Sequence, residues 1–270
     1  MRLVRQAVVH ILSTVNVVTT RVAVRPREFV AVSGPDAADF LERMVSNEVA
    51  SLGLGESRRA LLLTPKGRVI APLVVWRRAD EDFLLLTEPG LAEAVRTQLL
   101  RARFAAKCEI ETEEHTSHLV FGDADGIPNE EYGEAAAEVL DAEAPADLLS
   151  DDELERLRIE ARSPRWEREI DDRVLPAEAG LTETHVSFTK GCYPGQEPIA
   201  RLHHRGKANR ALRLLELDGL PAPETDVLYG DKVVGRITSS VPGLALAYVR
   251  TDVPAEAELT VGGARASSRP

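Results

Sequence analysis

Residues 188–197 read FTKGCYPGQE and combine a cysteine, a lysine and two glycines within six positions. They place the thiol of Cys192 two residues after Lys190, between Gly191 and Gly195 and just before a predicted helix start. Glycine permits a tight backbone path or the close approach of a ligand, while an ammonium and the positive end of a helix favour a thiolate. Two interpretations follow: a reactive Cys192 activated by Lys190, or a buried, inert cysteine that fills apolar space.

The string KGCYPGQE (residues 190–197) resembles the KGCYxGQE signature of YgfZ-type proteins, which include mitochondrial iron–sulfur assembly factors and are related to the glycine-cleavage T-protein. This signature is highly specific. Four further stretches resemble the same family: SGPDAADFLERMVSNEV (33–49), LLLTPKGRVIAPLVVWRR (61–78), LRIEARSP (157–164) and LPAEAGLTETHVSFTKGCY (175–193). The resemblance covers about Val30 to Arg250 and is weakest over the acidic middle of the chain.

The resemblance implies an α+β fold, with a T-protein-like ring of α+β subdomains around a folate pocket and a small C-terminal β-barrel. It divides the chain into three parts. These are an N-terminal extension (1–20), whose order the sequence leaves open, a T-protein-like folate-binding α+β region (21–205) and a C-terminal β-barrel domain (206–270).

The residue pattern itself predicts the same fold class. Runs rich in β-branched and aromatic residues indicate strands, and apolar residues at helical spacing indicate helices. Runs of sheet punctuated by isolated helices, after residue 36 and over 91–103, are typical of α+β domains. Five or six closely spaced short strands beyond residue 206 indicate a barrel. No periodic signal fixes the structure of residues 122–152.

The resemblance also implies a set of site residues. Cys192 and Lys190 are the expected catalytic pair, and Glu160 matches the glutamate that contacts the pterin in T-protein relatives. A carboxylate suits an aminopyrimidine edge, because two parallel donors meet two acceptor oxygens. The residues expected to bind the cofactor, tetrahydrofolate or a related reduced folate, are Glu160, Arg162, Tyr193, Gly191, Gly195, Gln196, Glu197 and Arg201.

Arg162 departs from the family pattern, because the family has glycine after the Ile-Glu-Ala that corresponds to residues 159–161. A long charged side chain replaces a residue that lets backbone approach a ligand. Two roles stay open for it: pairing with the anionic glutamate tail of folate, or pointing outward into solvent.

These features predict a folate-binding accessory protein for iron–sulfur cluster assembly or repair that indirectly supports tRNA modification. Its expected partners are folate and iron–sulfur assembly proteins or client enzymes. The alternative is a folate-dependent one-carbon transferase. Whether the protein is an enzyme stays open, although the T-protein segment whose aspartate engages the reactive folate nitrogen is not evident near Phe83–Pro89. A third possibility is a family member that keeps the fold only for protein contacts.

The net charge of −11 is unevenly distributed. Residues 109–155 contain 17 Asp and Glu and no Lys or Arg, which predicts a solvated acidic face that repels phosphates. A basic cluster follows, comprising Arg201, His203, His204, Arg205, Lys207, Arg210 and Arg213. It could steer folate, dock an acidic partner or RNA, or be a solvated surface; without interleaved aromatic residues we expect no direct nucleic-acid binding.

The composition indicates an ordinary globular protein in a reducing compartment. The chain has 270 residues, and the spacing of its 2 cysteines suggests neither a disulfide framework nor a zinc site. The histidines form no metal-binding pattern with other ligands, so no metal is expected. No stretch approaches the ~20 apolar residues of a membrane span, and polar residues interrupt the N-terminal apolar run. We therefore expect a cytoplasmic location without membrane partners.

Overall fold

The computed structural model describes residues 21–145 and 147–269. The predicted N-terminal extension, residues 1–20, lies outside the described residues. The strands are β1 Val22–Val24, β2 Glu28–Ser33, β3 Ser57–Leu63, β4 Val69–Ala79, β5 Asp82–Thr87, β6 Glu109–Glu113, β7 Ser117–Phe121, β8 Ile127–Asn129, β9 Ala136–Leu140, β10 Arg210–Leu217, β11 Asp226–Tyr229, β12 Lys232–Val241, β13 Leu244–Arg250, β14 Glu258–Val261 and β15 Ala264–Ser268. The helices are α1 Ala37–Met44, α2 Ala92–Ala102, α3 Asp151–Glu160, α4 Thr182–His185 and α5 Gln196–Arg205.

Five strands form the first antiparallel sheet, in the order β3-β4-β5-β2-β6. Residues 60–63 of β3 and 83–86 of β5 are continuously apolar because both faces of the sheet are covered there. Helices α1 and α2 pack on one face, where Phe40, Leu41, Val95 and Leu99 meet the sheet. The two helices predicted after residue 36 and over 91–103 are confirmed.

A second sheet, β1-β7-β9-β8, covers the other face of the first. Ile127 and Leu140 of this sheet pack against Phe29 and Leu84 of the first sheet. Its far side receives Leu154 of α3, whose N-terminus is closed by a capping box between Ser150 and Glu153. The sheets therefore lie in layers, and α3 leads from the second sheet toward the C-terminal unit.

The last six strands close into a barrel in the order β10-β13-β12-β11-β14-β15. Alternate residues such as Leu215, Ile237, Ala247 and Leu259 fill its interior. Helix α3 contacts the barrel through Ile159, which packs against apolar residues of β10 and β13. The expectations of an α+β fold and a small C-terminal β-barrel are confirmed.

The prediction of a purely solvated acidic face over residues 109–155 is wrong in part. Glu138, in β9, is only 1% exposed, and Glu131 lies in the same buried region. Both carboxylates pair with Arg27, which enters from the segment between β1 and β2. The sequence of residues 109–155 does not reveal this pairing, because Arg27 lies 111 positions before Glu138.

Within residues 21–145 and 147–269, no helix reaches the length and apolarity that a membrane span requires.

Candidate functional site

A cavity of about 470 Å³, called here the central cavity, opens at the junction of the first sheet, the residues around Glu130, the segment after α3 and the first barrel strand. Its volume lies within the range of ligand pockets. The lining residues are Arg27, Arg59, Pro72, Leu73, Val74, Glu88, Glu130, Glu131, Ala161, Arg162, Ser163, Pro164, Ile170, Ala179, Gly180, Leu181, Thr184, His185 and Leu212. The cavity therefore combines flat apolar walls with a few charged groups.

A buried ionic cluster forms the charged part of this wall. Arg27 donates to Glu131 Oε1 at 2.7 Å, to Glu138 Oε1 at 2.6 Å and to Glu88 Oε1 at 3.1 Å. Arg25 lies behind it and binds Glu88 and Glu131 from the other side. Charges removed from water need such mutual pairing, because an isolated buried charge costs several kcal/mol. The cluster fixes the two cavity carboxylates of Glu88 and Glu131 in place.

Glu131 is the carboxylate best placed to meet a ligand. Burial alone would raise the pKa of Glu131, but the guanidinium groups of Arg25 and Arg27 overcome this and hold the pKa well below its usual value. Its two oxygens accept three side-chain hydrogen bonds from these arginines. An ionised carboxylate offers about four acceptor sites, so Glu131 keeps capacity for one further donor.

His185, at the end of α4, supplies a neutral imidazole to the cavity. Burial, reinforced by the nearby charge of Arg59, lowers the pKa of His185 to about 3. Its Nδ1 lies 2.7 Å from the Thr184 hydroxyl, and its backbone carbonyl accepts a hydrogen bond from Ser46 Oγ at 2.6 Å. Ser46 in turn accepts from the backbone N–H of Leu61, so the imidazole is held against the first sheet.

The loop of residues 188–195 is anchored through Lys190. The Lys190 side chain is fully buried, and its ammonium donates to the carbonyls of Val45 at 2.9 Å and Asn47 at 2.6 Å. It also forms an ion pair with Glu42 Oε1 at 3.2 Å. Burial lowers the pKa of Lys190, while Glu42 opposes that shift. All three N–H donors of the ammonium thus have partners at the C-terminal end of α1.

The loop of residues 188–195 packs on the β3–β4 hairpin through a contact between Gly195 and Gly67. Gly195 has φ 84°, and a Cβ there would lie 2.6 Å from Thr64 O and 3.0 Å from the Cα of Gly67. Gly67 also has a positive φ, of 72°. Two separated sequence stretches, 64–67 and 190–195, therefore meet through direct backbone contact.

Cys192 and Tyr193 point in different directions from this loop. Cys192 is a free, exposed cysteine, so the alternative of a buried inert thiol is wrong. Tyr193 is buried among Leu61, Ile170 and Leu181, and its hydroxyl has no hydrogen-bond partner among the described residues. Burial raises the pKa of Tyr193 to about 12. Tyr193 thus packs behind two residues that line the central cavity, Ile170 and Leu181.

The structure brings few of the predicted site residues into the central cavity. Arg162 lines it, whereas the walls formed by the described residues include neither Glu160 nor any residue of the 190–197 signature. Glu160 is exposed, pairs with Arg156 at 3.3 Å and borders another opening, which reaches the barrel edge beside Glu216. The roles assigned to the predicted cofactor-binding residues stay predictions.

Arg162 has a backbone conformation that favours glycine, the residue that the family motif has at this position. Its φ is 55°, in the left-handed region that favours glycine. Its guanidinium donates to the carbonyl of Arg269 at 2.9 Å, beside the last barrel strand. The position therefore joins the end of α3 to the C-terminal strand.

The basic cluster lies mainly on α5, which begins with Gln196 and Glu197 and carries Arg201 on an exposed face. His203 stacks on Phe188, with ring centroids 4.0 Å apart and an interplanar angle of 19°. The rings of His203 and His204 are 5.0 Å apart, because both residues lie on α5. A helix turns neighbouring side chains by only about 100°.

The residues that sequence reasoning missed are the cavity's charged groups: Arg27, Arg59, Glu88, Glu130, Glu131 and His185. Only Arg25-Pro26-Arg27 gave a local signal, because two arginines flank a proline between two apolar strands. Among the described residues, no group of three His, Cys, Asp or Glu side chains is arranged to hold a metal ion.

Two family descriptions match the chain. The GCVT N-terminal domain matches residues 18–122, and the CAF17 C-terminal β-barrel domain matches residues 209–270. The second match coincides with the closed six-stranded barrel described above.

Curated relatives carry names linked to iron–sulfur assembly and to tRNA modification. The iron–sulfur cluster assembly factor IBA57 of Homo sapiens mitochondria is 28% identical over 269 residues, covering 83% of this chain and 75% of the human protein. The tRNA-modifying protein YgfZ of Edwardsiella ictaluri is 28% identical over 221 residues, covering 67% of this chain and 66% of that protein. This chain therefore spans about two thirds to three quarters of these two relatives.

A solved structure shows the same fold. The glycine cleavage system aminomethyltransferase T of Bartonella henselae superposes with a TM-score of 0.81 at 18% sequence identity. The match covers 93% of this chain and 85% of that one. At this identity the likeness concerns the fold.

Proposed function

We propose that the chain, which has a GcvT-like fold and matches a GCVT N-terminal domain and a CAF17 C-terminal β-barrel domain, is a folate-binding accessory protein for iron–sulfur cluster assembly or repair. The relatives named for iron–sulfur assembly and tRNA modification support this role. In the cell, the protein would support tRNA modification indirectly, by maintaining the iron–sulfur enzymes that carry it out.

The central cavity has the donor and acceptor groups that a reduced folate needs. A pterin presents parallel N–H donors along its aminopyrimidine edge, and the carboxylate of Glu131 has acceptor capacity for one of them. Apolar side chains such as Leu73 and Leu212 suit the flat faces of the ring. Arg59 and Arg162 suit the anionic tail. This placement of a free-capacity carboxylate beside arginines is the observation that carries the proposal.

Cys192 is the residue that we assign to contact with iron–sulfur proteins. The thiol is exposed on a loop fixed by Lys190 and by the Gly195–Gly67 contact. One thiolate cannot hold a cluster alone, so its chemistry requires a partner protein that supplies the other ligands. The proposed role of Cys192 is therefore transient contact with a partner's cluster or thiol, outside the folate cavity.

Folate binding is tested by titrating tetrahydrofolate and following thermal unfolding under anaerobic conditions. A ligand present at about 100 times its dissociation constant adds about 2.7 kcal/mol to the unfolding free energy, so Tm should rise by several degrees. Thr184→Trp should abolish the shift because residue 184 is exposed and lines the central cavity. Leu220→Trp, on an exposed barrel loop, is the control that should keep it.

The absence of any shift in the unmodified protein, or an equal shift in Thr184→Trp, would overturn folate binding at this cavity. Turnover is tested separately by adding tetrahydrofolate and an aminomethylated carrier protein. The proposal expects no methylene-folate, and sustained production would favour the one-carbon transferase instead.

A further inference from the structure

A second cavity, called here the outer cavity, lies on the opposite side of α4 from the central cavity and measures about 370 Å³. Gly180 lines both cavities, while Thr184 and His185 face the central one and Thr182 and Glu183 face the outer one. The lining residues of the outer cavity are mainly apolar: Leu175, Pro176, Ala177, Pro198, Ile199, Leu202, Ala208 and Ala211. The segment 180–185 is thus a shared wall.

The outer cavity contains a polar group that lacks a partner. The hydroxyl of Thr182 is buried, the residue is 9% exposed, and its Oγ1 has no hydrogen-bond partner within the described part of the chain. Buried hydroxyl groups are usually hydrogen-bonded, because leaving one unpaired costs the full desolvation penalty. An apolar cavity with one unpaired hydroxyl is the usual composition of a binding pocket.

The rim of the outer cavity is basic. His203 and Lys207 line it beside one carboxylate, that of Glu183, and Arg201, His204 and Arg205 are exposed on the same helix and its C-terminal end. The cations Arg201, Arg205 and Lys207 fall within seven residues of a chain with a net charge of −11. Cationic side chains around an apolar recess complement an acidic segment that carries an apolar anchor.

The rim also leads to the thiol loop. Phe188 stacks on His203 and lies four residues before Cys192. The outer cavity adjoins Pro198 and Ile199 of α5, and the same two side chains abut the hairpin glycine Gly67. A partner seated here would therefore approach the face of the protein that exposes the cysteine.

We propose that the outer cavity and its basic rim form the docking site for an acidic segment of a partner protein, which inserts one apolar side chain beside Thr182. The inference extends the proposed function by naming the chemistry of the partner, and it rests on residues that the folate site does not use, apart from the shared Gly180. A protein segment fits better than RNA, because the cavity is apolar and its rim carries a single stacked Phe–His pair rather than a row of aromatic platforms.

The test uses fluorescein-labelled synthetic peptides in which Asp and Glu flank one central Leu, Ile, Met or Phe, followed by fluorescence anisotropy without folate. We expect saturable binding that weakens about tenfold or more when the central residue is Ser. Binding should also weaken on raising the salt from about 0.05 M to about 0.5 M, because exposed charges are screened.

Three variants assign the site. Ala211→Trp should fill the outer cavity and remove binding, with Ala208→Trp as a second filling variant in case the first unfolds. Lys207→Glu should weaken binding about tenfold by reversing a rim charge. Arg101→Glu, an exposed charge reversal at the end of α2, is the matched control and should bind normally.

Failure of every peptide to bind, equal binding of the Ser peptides, or unchanged binding in a folded cavity-filled variant would overturn the proposal. So would tight binding of a single-stranded RNA that Lys207→Glu abolishes while no peptide binds. Because the measurement contains no folate, its failure leaves the tetrahydrofolate titration untouched, and the two proposals can fail independently.

Discussion

Gly195 lies directly against Gly67, so the loop that exposes Cys192 takes its position from a distant hairpin. Pro65, at the tip of that hairpin, precedes Cys192 by 127 positions in the chain. A Cβ on Gly195 would also press on the carbonyl of Thr64. The contact explains why both strings of the sequence, TPKG and CYPG, contain glycine at their ends.

Replacing Gly195 with alanine should destabilise the protein by about 2 kcal/mol or more, because it combines a positive φ with a backbone clash. Gly191→Ala is the matched control, since a Cβ there meets nothing within 4 Å. Chemical unfolding measures both variants. Equal stability of the two variants would show that the loop does not depend on the Gly195–Gly67 contact.

Lys190→Met should destabilise the protein by about 3 kcal/mol, because it leaves Glu42 and two carbonyls without their buried cation. Lys66→Met, at an exposed position of the hairpin, should change stability little. The pH dependence of Cys192 alkylation then separates two roles. If Lys190 only anchors the loop, Lys190→Met changes the stability but leaves the pH midpoint of Cys192 alkylation unchanged. If Lys190 activates the thiol, the same substitution raises that midpoint.

Acidification should weaken the fold through His185. The folded pKa of about 3 lies below the unfolded value near 6.5, so the unfolded chain binds a proton first as the pH falls. The stabilising contribution of neutral His185 is therefore complete above about pH 6.5 and should decline by on the order of 3 kcal/mol by about pH 4. Unfolding measured across this range in His185→Gln should show a flatter pH dependence than the unmodified protein.

His115 contributes the opposite slope. Burial would lower the pKa of His115, but Asp141 and Glu113, whose carboxylates lie 2.7 and 2.8 Å from the ring nitrogens, raise it above its usual value. The stabilisation is present below about pH 6.5 and is lost as the pH rises through the raised pKa. His115→Gln should therefore lose stability at about pH 6 and much less at about pH 9. A loss of equal size at both values would contradict this account.

Glu131→Gln should weaken tetrahydrofolate binding about tenfold or more, because a carboxylate that accepts from the pterin edge becomes an amide. Glu160→Gln, outside the central cavity, is the matched variant and tests the assignment based on the family motif. Calorimetric titration of both, after a check that each unfolds cooperatively, decides between the two carboxylates. Loss of binding only in Glu160→Gln would show that Glu160, and not Glu131, contacts the pterin.

Arg162→Ala should be less stable than Arg162→Gly by about 1 kcal/mol, although both lose the hydrogen bond to Arg269. The reason is that only glycine adopts the left-handed backbone at this position without strain. Thermal or chemical unfolding compares the two variants directly. A more stable alanine variant would contradict the left-handed backbone conformation at residue 162.

The secondary structure of the two layers and the barrel could be predicted because packing follows the residue pattern there. Helix α1 shows this: Gly34-Pro35-Asp36 starts it, and Phe40 and Leu41 form its buried face. Strands β8 and β9 were missed because IPN and AAEVL each contain a single β-branched residue and no aromatic residue. They form by pairing of β9 with β7 and β8, and Glu138 is also fixed by Arg27, tertiary contacts that no local pattern contains.

The candidate site was harder to predict, because the side chains of residues close in sequence point in different directions. Lys190 and Cys192 are two residues apart, but one enters the interior and the other faces solvent. In α3, burial of Arg158 and Ile159 turns Glu160 outward. The resemblance drawn from the sequence agrees with the GCVT and CAF17 domain matches and with the YgfZ and IBA57 relatives. The cavity's charged lining comes from segments that only the tertiary fold brings together.

The turn formed by residues 180–185 is a boundary of both cavities, and Gly180 lines each of them. If binding on one side shifts this turn, linkage requires the effect on the two binding equilibria to be mutual and equal in magnitude. A small metabolite on one side would then change the affinity for a macromolecule on the other, with no movement of either sheet.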